Sequence, residues 1–140
     1  MKQLMTIALA AVIFAGVSTT AIAQSKVQKR YDYTMRNLHL DKKTEALFAP
    51  VLKAYLAERK TAGDIYDDVK DKYKAAEKAG TLTDNQANQL LEAKLKSEEQ
   101  ELVVRRKYTA EFKKVLKPKK VYYALDFAND SMSKIEGKEE

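Results

Sequence analysis

The chain has 140 residues and no cysteine, so disulfide staples and thiolate metal sites are excluded and any fold must be held by packing. Its 26 lysines and arginines outweigh 20 acidic residues, a formal net charge of +6 on a chain of which a third is charged. The length fits one small domain, while four glycines and a single histidine, His39, leave no glycine-rich phosphate loop and no nucleophile, base and orienter to assemble.

Lys2 supplies a positive start, residues 4–17 are almost wholly apolar, and Ala21-Ile22-Ala23 offers the small residues a signal peptidase needs. This pattern reads as a signal peptide over 1–23, cleaved after Ala23, followed by a single helical domain over 24–140. The apolar run is shorter than the ~20 residues of a spanning helix, which disfavours a permanent anchor. With no cysteine after the cut, no lipoprotein forms. A Gram-negative periplasm fits these ends. Export makes nucleic acid a poor partner for the positive charge and leaves acidic proteins, anionic headgroups or plain solubility.

Beyond the leader the only periodicity is helical. Val27, Tyr31, Met35 and Leu38 mark a first helix over about 25–38. Asp41, preceded by Leu40, caps a second. This one presents Leu47, Phe48, Val51, Leu52, Tyr55, Ile65, Tyr66, Val69 and Tyr73 and runs to Ala79, where Gly80 can take the left-handed stop conformation. Pro50 predicts a kink near 46–50, and Gly63 costs about 1 kcal/mol relative to alanine. Leu82-Thr83-Asp84-Asn85-Gln86 then opens the third helix: Thr83 caps orphan amides and Gln86 reaches back to the cap amide, the reciprocal bonds of a capping box. Ala87, Leu90, Leu91, Leu95, Leu102, Tyr108, Phe112, Val115 and Leu116 follow at helical spacing until Lys117-Pro118. Pro118 suits the first turn of a fourth helix, in which Val121, Leu125, Ala128, Met132 and Ile135 read as one coiled-coil seam.

Two long helices of about 35 residues would each reach ~50 Å. The 80–82 connection folds them into an antiparallel hairpin that sets side by side residues whose numbers total about 163, so Glu58 is expected near Arg105. Two short helices cannot wrap so thin a hairpin, and a homodimer across a two-fold axis is the expected remedy. The predicted fold is therefore all-α with four helices: an elongated antiparallel hairpin of two long ones plus two shorter ones.

Candidate chemistry is sparse. His39, between Leu38 and Leu40 at a helix junction, reads as a structural or solvated residue rather than a ligand. Asp64, Asp67, Asp68 and Asp71 share one helical stripe that could attract a hard cation, but a straight stripe supplies no enclosing oxygen shell, and Lys70, Lys72, Lys94 and Lys96 offer salt bridges instead. No cofactor, no metal and no enzymatic activity are expected. Residues 105–120 carry eight basic side chains against Glu111 alone, a band that fits partner steering or a solvated face. Tyr122 and Tyr123 are adjacent and cannot both face one core, which puts one of them on an interface or binding surface.

Three passages together carry a family resemblance. They are the L-T-x-x-Q of Leu82, Thr83 and Gln86; the F-x-P-x-x-x-x-Y spacing of Phe48, Pro50 and Tyr55; and the region of Phe112 to Lys120 around Pro118. The sequence resembles the Spy/CpxP-like (LTxxQ-motif) periplasmic stress and chaperone family of the Bacteroidetes type, over nearly all of residues 24–140. The family's first motif position corresponds to Leu40-Asp41-Lys42-Lys43-Thr44, where only the leucine matches. The resemblance implies a cradle-shaped homodimer that works without nucleotide and binds unfolded or aggregation-prone proteins on a face mixing basic and apolar residues. Carried over, it assigns client contact to Leu40, Lys42, Lys43, Phe48, Val51, Arg105, Arg106 and Lys107, and leaves Leu82, Thr83 and Gln86 as a helix-capping motif. The implied function is an ATP-independent periplasmic holdase. The alternative is a stress sensor binding a membrane kinase or anti-sigma partner, and a metal sensor stands behind both for want of soft ligands.

Overall fold

The computed structural model describes residues 21–137. Their regular structure is α-helical throughout: α1 (Ala21–Leu38), α2 (Lys42–Ala79), α3 (Asp84–Lys113), α4 (Pro118–Ala128) and a single turn, α5 (Met132–Ile135). The expected signal peptide lies for the most part outside the described residues. None of the helices among them is long and apolar enough to cross a membrane.

Helix ends follow local chemistry. The Asp41 carboxylate accepts from the Thr44 amide at 2.8 Å and starts α2. Gly80, at φ 70°, stops it: the Gly80 amide reaches Glu77 O and the Thr81 amide reaches Ala76 O, the paired bonds of a Schellman motif. Thr83 then accepts from the Gln86 amide at 3.2 Å while the Thr83 amide donates to Gln86 Oε1 at 3.0 Å, so the predicted capping box is present in both halves. Pro118 takes the first turn of α4. His39 ends α1 with φ 51°, a left-handed residue for which the sequence carries no glycine or asparagine signal. Lys120 donates to the Leu38 carbonyl, placing a cation on the negative end of α1.

α2 and α3, about 57 and 45 Å long at 1.5 Å per residue, pack side by side as the expected antiparallel hairpin. α1 lies against α4, α2 and α5, and α4 also touches α3. The core therefore sits at the end of the hairpin remote from Gly80. Phe48, Leu52, Tyr55 and Leu56 of α2 meet Val104, Tyr108 and Phe112 of α3 there, under Leu38, Val121, Ala124 and Ala128. Phe48 and Phe112 meet edge to face with ring centroids 4.8 Å apart, and Tyr55 packs against both Phe112 and Tyr108 at 5.5 Å. Farther along, the two helices have only each other, and Ile65, Val69, Tyr73 and Leu90 are incompletely buried.

α2 runs through Pro50 to Ala79, the extent expected of it. Three details differ from expectation. α1 already includes Ala21, ahead of residue 25. The fourth helix is not a continuous seam: Asn129 Nδ2 bonds the Leu125 carbonyl at 2.7 Å, Ser131 caps a new turn through the Lys134 amide, and the backbone breaks into α4 and α5. Glu58 pairs with Lys107 at 3.1 Å and accepts from Tyr108 rather than meeting Arg105. The register is as expected, since Tyr55 lies beside Tyr108 and Tyr73 donates to Gln89. Arg105 and Lys107, however, stand about 200° apart around the helix, and only one of them can face α2.

Candidate functional site

The residues assigned to client contact do not form one surface. Phe48 is fully buried in the aromatic core, and Leu40 and Val51 pack half-buried against that core, so the apolar part of the first-motif zone is structural. This corrects the assignment of Phe48: a ring with no exposed area cannot touch a client. Lys42 and Lys43 are exposed in the first turn of α2. Arg105, Arg106 and Lys107 are exposed but diverge. Arg105 lines a shallow depression with Tyr122, Leu125, Asp126 and Asn129, while Lys107 is tied to Glu58. Burial tends to raise the Glu58 carboxyl, but the bond from Tyr108 and the Lys107 ammonium outweigh it and hold the group below its ordinary value. Burial and the same bond raise the Tyr108 phenol.

The aspartate stripe is also differently partnered than its sequence implies. Asp64 is held by Lys60, one turn away at 2.7 Å, whereas Lys70 and Lys94 lie over the Tyr66 ring and Lys72 over Tyr73. Among the described residues no group of three or more histidine or acidic side chains is arranged to hold a metal ion.

A surface that the sequence reading missed lies on α3. Leu91, Leu95 and Leu102 are 60%, 55% and 44% exposed. At about 100° per residue they lie within ~40° of one another on the side of α3 that faces away from α2, with the exposed Glu98 between Leu95 and Leu102. Ala93, Ser97, Val104 and Tyr108 supply the inward face. Beyond Leu102 the line is flanked by the exposed Arg105 on one side and Arg106 on the other, about 100° apart around the helix. Its signal is present in the sequence as a second set of apolar residues offset from the first, and helical spacing alone merges both sets into one core face. Tyr122 and Tyr123 are both exposed, in ring contact at 5.5 Å, with Tyr123 also stacked on Phe127.

A cleft of about 510 Å³ opens between α1, the middle of the hairpin and α5. Beside it, Arg30 reaches the C-terminal end of α4, donating through Nη1 to the carbonyls of Ala128 and Asp130 at 2.7 and 2.6 Å. Arg59 Nε donates to Asn129 Oδ1 at 2.8 Å. Asp130 is engaged elsewhere, by Tyr33 at 2.8 Å and Lys134 at 3.3 Å.

Comparison with known proteins adds no identity to this geometry: no protein-family model, curated protein or solved structure matches the sequence. The surfaces themselves carry what can be inferred of function.

Proposed function

We propose that the protein is an ATP-independent holdase of the periplasm, acting as a homodimer on unfolded or aggregation-prone polypeptides. The observation that carries the reading is the leucine stripe of α3, flanked beyond Leu102 by Arg105 and Arg106. Arginines raise the encounter rate with clients, and the leucines hold apolar segments once they arrive. Complete burial of a leucine is worth ~1.5–3 kcal/mol. Covering the exposed half of each leucine thus contributes about 1 kcal/mol, and the stripe about 3 kcal/mol. Alone that is weaker than millimolar binding, which corresponds to ~4 kcal/mol. Loose contact of this size, repeated along a client, delays aggregation while allowing release without nucleotide hydrolysis. The two-helix portion of the hairpin, with its half-buried Ile65, Val69 and Tyr73, supports the dimer. Light scattering of a chemically denatured test protein, diluted into buffer with and without the purified protein and no ATP, tests the reading. Suppression at comparable molar ratios is expected, and unaltered scattering would exclude it.

A further inference from the structure

The cleft between α1, α2, α3 and α5 combines features that the holdase reading does not use. Its lining carries both signs of charge: Lys26 and Arg30 of α1 and Arg59 of α2, together with Asp67 of α2 and Glu101 of α3. Lys60 and Asp64 also line it but satisfy each other. Val27, Leu56 and Met132 contribute apolar surface, with Leu56 almost completely buried.

The arginine pair is held in an unusual way. Arg30 is 9% exposed, yet its hydrogen bonds go to two backbone carbonyls, and Arg59 bonds the neutral amide oxygen of Asn129. Among the described residues neither guanidinium makes an ion pair with a carboxylate, and the Nη atoms of Arg59 make no hydrogen bond. Two cations thus share one partly desolvated corner in which the Asp130 carboxylate acts on Arg30 only through space, since its oxygens bond Tyr33 and Lys134. Burial, and next the nearby charge of Arg59, lower Arg30 to about 10. A planar guanidinium with free N–H groups is matched by a carboxylate, which can accept two parallel bonds.

We propose that this cleft binds a peptide carboxylate, either the terminal carboxylate of a polypeptide or an aspartate or glutamate side chain, paired with Arg59 beside Arg30, with a neighbouring apolar side chain against Val27, Leu56 and Met132. Asp67 and Glu101, also in the lining, repel the carboxylate and leave the basic side chains as its partners there. The cleft is bordered by the inward face of α3, through Ser97 and Glu101, and so lies away from the leucine stripe. The inference does not depend on holdase activity, and the two stand or fall in separate assays.

Fluorescence anisotropy with three labelled alanine-leucine decapeptides tests it: one with an internal glutamate and an amidated C-terminus, its glutamine counterpart, and the glutamine peptide with a free C-terminus. At least one carboxylate peptide is expected to bind about tenfold or more tightly than the uncharged one; the glutamate peptide identifies a side-chain ligand and the free-acid peptide a terminal one. Arg59→Gln should abolish the preference and Arg59→Lys retain part of it. Lys26→Glu, at the exposed rim, should weaken it at unchanged melting temperature, which separates binding from folding. Equal affinity for all three peptides, an undiminished preference in a folded Arg59→Gln protein, or inorganic phosphate binding where no peptide binds would each overturn the proposal.

Discussion

Replacing Phe48 by alanine separates the two roles that sequence and structure give this residue. The ring has no exposed area, packs edge to face on Phe112 at 4.8 Å, and lies beside Leu52 and Tyr55 at the centre of the core. Its removal forfeits the transfer energy of the ring and leaves a cavity between α2 and α3 where two long helices cannot easily collapse. Such truncations cost ~3–5 kcal/mol, against a total stability of ~5–15 kcal/mol for a small domain. Urea denaturation followed by far-UV circular dichroism should show a midpoint reduced by about a fifth or more, or no folded baseline at all. Phe48→Leu, which keeps most of the volume, should lose roughly 1–2 kcal/mol and remain folded. Were Phe48 a client contact, alanine would instead cost less than ~1 kcal/mol of stability and abolish aggregation suppression in a fully folded protein. That result would refute the core assignment.

Three smaller perturbations probe the helix ends and the hairpin seam. Gly63→Ala should stabilise the protein by up to about 1 kcal/mol, because an added Cβ meets only Glu101 Oε1, at an ordinary 3.6 Å; thermal melting reads it, and a loss of stability would mean that the α2–α3 seam is tighter than described. His39→Gly should raise stability by ~0.5–1 kcal/mol, since φ 51° costs a side-chain-bearing residue more than it costs glycine; a lower melting temperature would contradict the left-handed turn. Glu58 is depressed below its ordinary 4.5, so its contribution is complete above that pH and is lost as pH falls through the lower, folded value. Glu58→Gln should therefore flatten the acid limb of a stability-against-pH curve, and an unchanged slope would remove Tyr108 and Lys107 as its partners.

Elements written in local chemistry were legible from the sequence. Asp41, Gly80, Thr83 with Gln86, and Pro118 each act within one helical turn, and all four are where the pattern put them. The hairpin register followed from the short connection between two long helices. Which face of a helix meets what is a tertiary matter, and there the reading failed. A motif resemblance located Phe48 near a binding zone without saying that α3 would cover it. A run of basic letters at 105–107 reads as one band although consecutive residues point in different directions. α3 carries two apolar faces, and only packing decides that Tyr108 goes inside while Leu95 stays out. The break after Ala128 was readable in principle, because Asn129-Asp130-Ser131 is a turn-forming triplet that the apolar spacing of Ala128 and Met132 masked.

The central claim is that the outward stripe of α3 engages clients, and the triple substitution Leu91→Ser, Leu95→Ser and Leu102→Ser tests it most directly. These side chains are about half exposed and lie outside the core cluster, so the melting temperature should fall while the protein stays folded, which circular dichroism at the assay temperature checks. The concentration needed to halve light scattering of a denatured test protein should rise about a hundredfold, the effect of losing the stripe's ~3 kcal/mol. Undiminished suppression by a folded triple variant would contradict the account.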